Sequence, residues 1–267
     1  MNTITINSVA EYVEEVCKIN NELRERALGE NLLFRGQPDK EKRLIPSLGR
    51  KGINGKALID EESSMVEMAR YKLPTVFRRD LEPIELLALL QHHGIPTRLL
   101  DVSANALVGL YFACHGTDAN MSDDGEVIVF KTLDIDIRNY PMINDICNSY
   151  RRNGTRSQEE LANLYEFTRK PIFAYAPSYS LRQNIQSGRY ILFANKIIYE
   201  NGKYSITNII EPISKDGEDI ECRIIIPASA KKQIRRDLRL LGVSKELLFL
   251  DNADMVCREI RDRYSEK

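Results

Sequence analysis

The sequence predicts an α+β fold, with a mixed or antiparallel split sheet, an N-terminal helix and an inserted helical segment. Three observations carry that expectation. Helical clusters precede a strand-rich second half, an Asn-Gly pair sits between two β-rich runs, and the regular strand-helix-strand alternation of a doubly wound protein is missing. No repeat period and no Pro/Gly/Ser-rich linker divides the chain, so one continuous domain over residues 1–267 is expected.

The elements follow in order. Ser8 and Glu11 form a capping box ahead of Val9, Tyr12, Val13, Val16, Ile19 and Leu23 at helical spacing, which predicts a helix over 8–29 closed by Gly29. A short strand is expected over 31–35. A helix over 57–71, with Met65, Met68 and Ala69 inward, is ended by Pro74. Pro83 opens a third helix, which Gly94 closes in a left-handed cap. Residues 95–102 read as an extended or turning connection. Residues 105–114 are apolar on nearly every side, which predicts a deeply buried helix. Val127, Ile128, Val129 and Phe130 lack alternation, as in a strand covered on both faces. Residues 134–170 read as the helical insertion, with a capping box at Ser157 and Glu160. Strands are expected over 190–194, 196–200, 203–207 and 221–226, the middle two joined by a type I′ turn at Asn201-Gly202. Helices over 228–263, with a short one at 245–248, close the chain.

Composition limits what such a fold does. The chain carries 38 Lys+Arg against 39 Asp+Glu, a net charge of −1, so it lacks the bulk positive field of a general polyanion binder. Apolar runs such as Leu86–Leu90 fall far short of the ~20 residues that span a bilayer, which argues against a membrane partner. The first residues lack a basic stretch followed by an apolar one, which argues against secretion and for a cytoplasmic protein. The five cysteines are scattered and never spaced as CxxC, which suits reduced thiols filling the core.

Two segments concentrate polar chemistry among apolar neighbours. In Phe34-Arg35-Gly36-Gln37, Arg35 ends an apolar strand and offers a fork of donors suited to phosphate or carboxylate, and Gly36 permits close backbone approach. Alternatively, Arg35 is a core arginine paired with a carboxylate such as Asp101. The second segment runs from Gln91 to Ser103 and holds His92, His93, Thr97, Arg98 and Asp101. His92 suits general acid/base work or a structural bond at a helix end. Arg98 and Asp101 suit a ligand cleft or a salt bridge bracing the loop. His92, His93, His115 and Asp101 show no spacing of a metal site, and no metal is predicted.

These segments, with Pro46-Ser47-Leu48-Gly49-Arg50 and Asn105-Ala106-Leu107-Val108-Gly109-Leu110-Tyr111-Phe112-Ala113, resemble the FRG domain family, named for its aromatic-Arg-Gly motif. A looser match continues through Arg182-Gln183-Asn184-Ile185-Gln186-Ser187-Gly188-Arg189-Tyr190, so the resemblance spans roughly residues 31 to 195. The sequence departs from the family at His93, where an aromatic is usual, and at Val102, where a tryptophan is usual. Members are bacterial and phage-associated proteins.

The chain further resembles ADP-ribosyltransferases, which place NAD in a cleft of a split sheet. That resemblance implies Arg35 on the dinucleotide, Gln186 or Glu221 positioning the nucleophile, and His92 as a proton-transfer group. Gly36, Gln37, Thr97, Arg98, Asp101 and Ser103 would contact the ligand. The alternative is a non-catalytic nucleotide or nucleic-acid sensing module in a defence or toxin setting. Lys232, Arg235, Arg236 and Arg239, spaced i, i+3, i+4 and i+7, would give it a basic helical stripe, or simply a solvated helix face.

Overall fold

The computed structural model describes residues 2–26, 31–52, 55–116, 122–132, 135–136, 141–151, 156–176 and 181–249. Gly29 and the last part of the helical stretch expected over 228–263, from residue 250 on, lie outside them. The first half follows the helical reading closely. Strand β1 (Asn2–Thr5) precedes α1 (Val9–Arg26), which buries Val9, Tyr12, Ile19 and Leu23 on one stripe. Strand β2 (Asn31–Gln37) carries the aromatic-Arg-Gly motif.

The expected helix over 57–71 is a 3-10 turn (Leu58–Glu61) leading into α2 (Glu62–Lys72). Its inner face is Glu62, Val66 and Ala69; Met68 is exposed, because the register is set by burying Glu62. Helix α3 (Pro83–His92) starts at Pro83 with a Glu82/Glu85 capping box and ends before Gly94, whose φ of 82° is the left-handed cap.

Residues 95–102 are not merely a connection. They lead into β3 (Leu99–Ser103), a strand inside the main sheet. Helix α4 (Ala106–Cys114), N-capped by the Asn105 side chain, is buried on almost all sides as its composition demands. Strand β4 (Gly125–Thr132) is likewise buried on both faces.

The inserted segment comprises β5 (Ile135–Asp136), α5 (Pro141–Cys147) and α6 (Gln158–Phe167), the last with the Ser157/Glu160 capping box. Strand β6 (Ile172–Tyr175) and helix α7 (Leu181–Ile185) then lead to β7 (Gly188–Leu192). Strands β8 (Ile197–Glu200) and β9 (Lys203–Ile206) form the expected hairpin, with Asn201 and Gly202 at φ of 51° and 77° in its turn. Strand β10 (Ile220–Ile226), α8 (Ala228–Leu240) and α9 (Lys245–Leu248) complete the described chain.

Among the described residues the main sheet has eight strands in the order β1-β10-β4-β2-β3-β7-β6-β5, mixed in direction. It is split in the middle. Strands β2 and β4 pair along seven residues and β3 and β7 along five, but β2 and β3 share only the Phe34–Ser103 pair. Separate apolar clusters support the halves. One packs α1, α4 and α8 against β2, β4 and β10; another gathers α2, α3, α5 and α6 against β6 and β7. Burial of a side chain such as Leu110 or Ile224 stabilises the fold by ~1.5–3 kcal/mol.

Candidate functional site

The split in the sheet opens a cavity of about 490 Å³. Past the Phe34–Ser103 pair, a regular antiparallel ladder would set Arg35 opposite Val102 and Gly36 opposite Asp101. The ladder stops instead, and the Arg35 side chain reaches across the gap to donate from Nη1 to the Asp101 carbonyl, 2.5 Å away. Its Nε is buried and accepted by no oxygen among the described residues. Burial holds the Arg35 pKa below that of an ordinary arginine; Asp101 raises it in turn and Arg50 lowers it. The result is a guanidinium at the cavity wall, incompletely compensated and suited to an anionic ligand.

The wall opposite is fixed by α3 and β3. The Gln91 amide donates to Asp101 Oδ1 at 2.7 Å, so the Asp101 carboxylate is held by Gln91 and its backbone carbonyl by Arg35. Thr97 Oγ1 donates to the carbonyl oxygen of the same Gln91 side chain and accepts from the Leu99 amide at 3.2 Å. Ser47, from the Pro46–Arg50 segment, accepts from the Thr97 amide at 3.2 Å. This network seats the last turn of α3 on the start of β3, which brings His92 and His93 to the cavity mouth. Both rings are exposed; His93 lies edge-on to Phe77 with ring centres 5.7 Å apart.

The third wall precedes β7. Ser103 Oγ donates to the Gln186 carbonyl at 2.7 Å and accepts from the Asn105 amide at 2.9 Å. Gln186 Nε2 donates to the Leu248 carbonyl at 2.9 Å, so α9 orients the amide. Ser187 then turns the chain with a φ of 46°, a left-handed conformation uncommon for serine and worth roughly 1 kcal/mol of strain. Arg182 lies over the Phe249 ring at 4.5 Å, and Phe249 meets Phe112 edge-on. From Phe112 the aromatic contacts continue through Tyr111 to His115, which stacks on Tyr111 with ring centres 3.7 Å apart.

Of the residues singled out by sequence, Arg35, Gly36, His92, Asp101, Ser103 and Gln186 line this cavity. Four do not. Arg98 is fully buried and gives Glu62 a two-pronged ion pair through Nε and Nη2, at 2.6 and 2.5 Å, while Nη1 donates to Asn195 Oδ1 at 2.7 Å. Its partner is therefore Glu62 and not Asp101. Thr97 is buried in the bracing network described above, and Gln37 is buried against Glu126 and the Lys42 carbonyl. Glu221 lies on β10, separated from β2 by β4, where it pairs with Arg26 at 3.0 Å and Lys131 at 3.4 Å.

Gly36 borders the cavity for a different reason than ligand approach. A Cβ there would lie 1.9 Å from the Gly109 carbonyl oxygen, so the glycine lets α4 press on β2. Among the lining residues that sequence reasoning did not assign to the site are Phe112, His115, Arg182, Gln183 and Tyr190. Arg182, Gln183 and Tyr190 lie within the looser family pattern and Phe112 within the block from Asn105 to Ala113; nothing in spacing marks His115, whose place depends on how α4 docks. Among the described residues no three His, Cys, Asp or Glu gather as a metal site would require.

Fold and cavity together define an α+β protein with an arginine-lined cleft at a split sheet. Residues 30–122, from β2 through α4, match the FRG domain family. That region supplies Arg35, His92, Asp101, Ser103, Phe112 and His115, while Arg182, Gln183, Gln186 and Tyr190 come from beyond it. No curated protein and no solved structure matches the chain.

Proposed function

We propose that the cavity holds NAD or a related nucleotide and that the protein cleaves the nicotinamide glycosidic bond, transferring ADP-ribose to water or to an acceptor. One observation carries this reading. Arg35 on β2, Ser103 on β3 and Gln186 just before β7, from three successive strands around the split, line one cavity. The roles follow from their chemistry. Arg35 neutralises the pyrophosphate, an anionic acceptor that its free Nε and incompletely compensated charge favour. Ser103 acts through Gln186, holding its backbone so that the side-chain oxygen meets the ribose. In the step itself the C1′–N bond breaks, nicotinamide leaves with the electron pair, and the nucleophile's oxygen or nitrogen bonds C1′ and gives up its proton, with His92 placed at the mouth to accept it. The Gln186 oxygen dipole stabilises the oxocarbenium-like charge at C1′.

Incubating the full chain with NAD labelled in the nicotinamide ring tests this. Release of nicotinamide is expected, falling at least ~100-fold in Arg35→Ala and Gln186→Ala, the loss typical of a preorganised electrostatic group. A wild type that neither binds NAD nor releases nicotinamide would overturn it.

A second reading, a nucleotide sensor without turnover, has its own support. Among the described residues that line the cavity, Asp101 is the one carboxylate, and its Oδ1 accepts from Gln91. An amide at the Gln186 position is a weaker partner for a developing cation than a carboxylate is. Under this reading the exposed Lys232, Arg236 and Arg239, with half-buried Arg235, form a phosphate-binding face on α8. Tight NAD binding without nicotinamide release, with salt-dependent nucleic-acid binding lost on charge reversal along α8, would select it.

A further inference from the structure

His115 ends α4 at the inner wall of the cavity, and the proposed function gives it no part. Its ring is immobilised twice, by stacking on Tyr111 and by a 2.9 Å contact between Nδ1 and the Tyr111 carbonyl. A carbonyl oxygen only accepts, so Nδ1 must carry the proton. The other nitrogen, Nε2, makes no hydrogen bond among the described residues and belongs to a side chain on the cavity wall. Burial, with Arg235 and Lys245 nearby, holds the His115 pKa down to about 4, although the contact to Tyr111 opposes this, so at neutral pH the ring is uncharged. An uncharged imidazole protonated on Nδ1 presents a lone pair at Nε2, and that makes it an acceptor.

Elsewhere on the wall Arg35 asks for the opposite in a ligand, while the Gln186 oxygen is an acceptor assigned to the ribose. Arg35 offers donors for an anion, and Gln91 and Ser103 are committed to their neighbours. Next to His115 the lining is Phe112, whose ring meets Phe249 and Tyr111 edge-on, at 86° and 85°. An aromatic ring beside a fixed acceptor fits a heteroaromatic ring that carries an N–H donor.

We propose that His115 is a specificity-determining residue, accepting through Nε2 a hydrogen bond from the exocyclic amine or carboxamide of a nucleotide's heteroaromatic ring, packed against Phe112. The inference rests on the cavity being a nucleotide site and deepens it. Two sources supply this chemistry, the adenine amine and the nicotinamide carboxamide, and the test separates them.

Equilibrium binding to the full chain is measured for three dinucleotides: NAD, nicotinamide hypoxanthine dinucleotide, which lacks the adenine amine, and nicotinic acid adenine dinucleotide, which lacks the carboxamide. The wild type is expected to bind one of the two analogues about tenfold more weakly than NAD, the loss of one ligand hydrogen bond. His115→Phe keeps the stack on Tyr111 but removes the acceptor, and should bind NAD as weakly as that analogue. His115→Gln restores an acceptor and should recover part of the discrimination. If all three bind and His115→Phe leaves their order unchanged, His115 is not the determinant, although the site stands as a nucleotide site. If none binds to the wild type, the nucleotide reading falls and this inference with it.

Discussion

Two arginines flank the split, and burial separates their roles. Arg98 has no exposed surface and is matched by Glu62, Asn195 and the Phe193 carbonyl, the last at 3.5 Å. Removing either partner of such a pair strands a buried charge, so Arg98→Ala or Glu62→Ala is expected to cost ~3–5 kcal/mol of stability. Arg35 is only partly buried and one of its donors has no partner, so Arg35→Ala should shift stability by no more than ~1 kcal/mol. Urea unfolding of both variants checks the contrast: comparable losses would mean that Arg35 is a core arginine like its neighbour, and the ligand role assigned to it would fail. The sequence marked both residues by type and position but had no means of ranking them. What ranks them is Glu62, 36 residues before Arg98, and a gap in a ladder that only pairing reveals.

At the scale of elements, the contact of α4 with β2 shapes the cavity. Gly36 and Gly109 meet face to face: a Cβ on Gly109 would lie 2.8 Å from the Phe34 Cβ, and one on Gly36 would enter the helix backbone. Gly36→Ala therefore has to push α4 outward, at a cost of ~1–3 kcal/mol. Because Phe112 and His115 ride on that helix, the same substitution should weaken nucleotide binding as well as lower the urea midpoint; a stable protein with unchanged affinity would show that α4 does not form the wall of the site. Most elements were legible because their signals are local. The Ser8, Pro83 and Ser157 N-termini, the Asn201-Gly202 turn and the uniformly apolar α4 each announce themselves within a few residues. Among those missed, β1 and β6 are four-residue strands whose existence depends on distant partners: β1 pairs in parallel with β10, more than 200 residues on. Strand β3 was read as a connection because Leu99 and Leu100 are buried on opposite faces, in different clusters, which erases the alternation that marks a strand.

For the whole molecule, buried titratable groups predict a stability plateau with two shoulders. On the acid side the group that matters is His115, held neutral in the fold to about pH 4 by burial, whereas in the unfolded chain it takes a proton near pH 6.5. A base whose folded pKa is depressed contributes fully above the unfolded value, and that contribution is lost as the pH falls, because the unfolded state binds the extra proton. The expected loss on going from pH 8 to pH 5 is ~2 kcal/mol, from the spacing of the two pKa values. Asp124, lowered chiefly by its bond from Lys40, acts with the same sign below the ordinary carboxylate range, but it is a surface pair and adds little. On the alkaline side burial pushes Cys114 up to about 12 and Cys222 to about 11, and raises Cys147, Tyr12 and Tyr190 as well. These groups keep their protons in the fold after the unfolded chain has lost them, so stability declines as the pH rises above about 9, the ordinary thiol value. Lys231 and Arg35, whose pKa values burial lowers, oppose this decline but are outnumbered by these five groups. Urea midpoints under reducing conditions should therefore be flat between about pH 6.5 and 9 and fall on either side. His115→Phe should remove the acid shoulder between pH 8 and 5 while leaving the alkaline one. If the acid shoulder persists in that variant, the His115 ring is not held in the buried neutral form, and the acceptor role assigned to its Nε2 loses its basis.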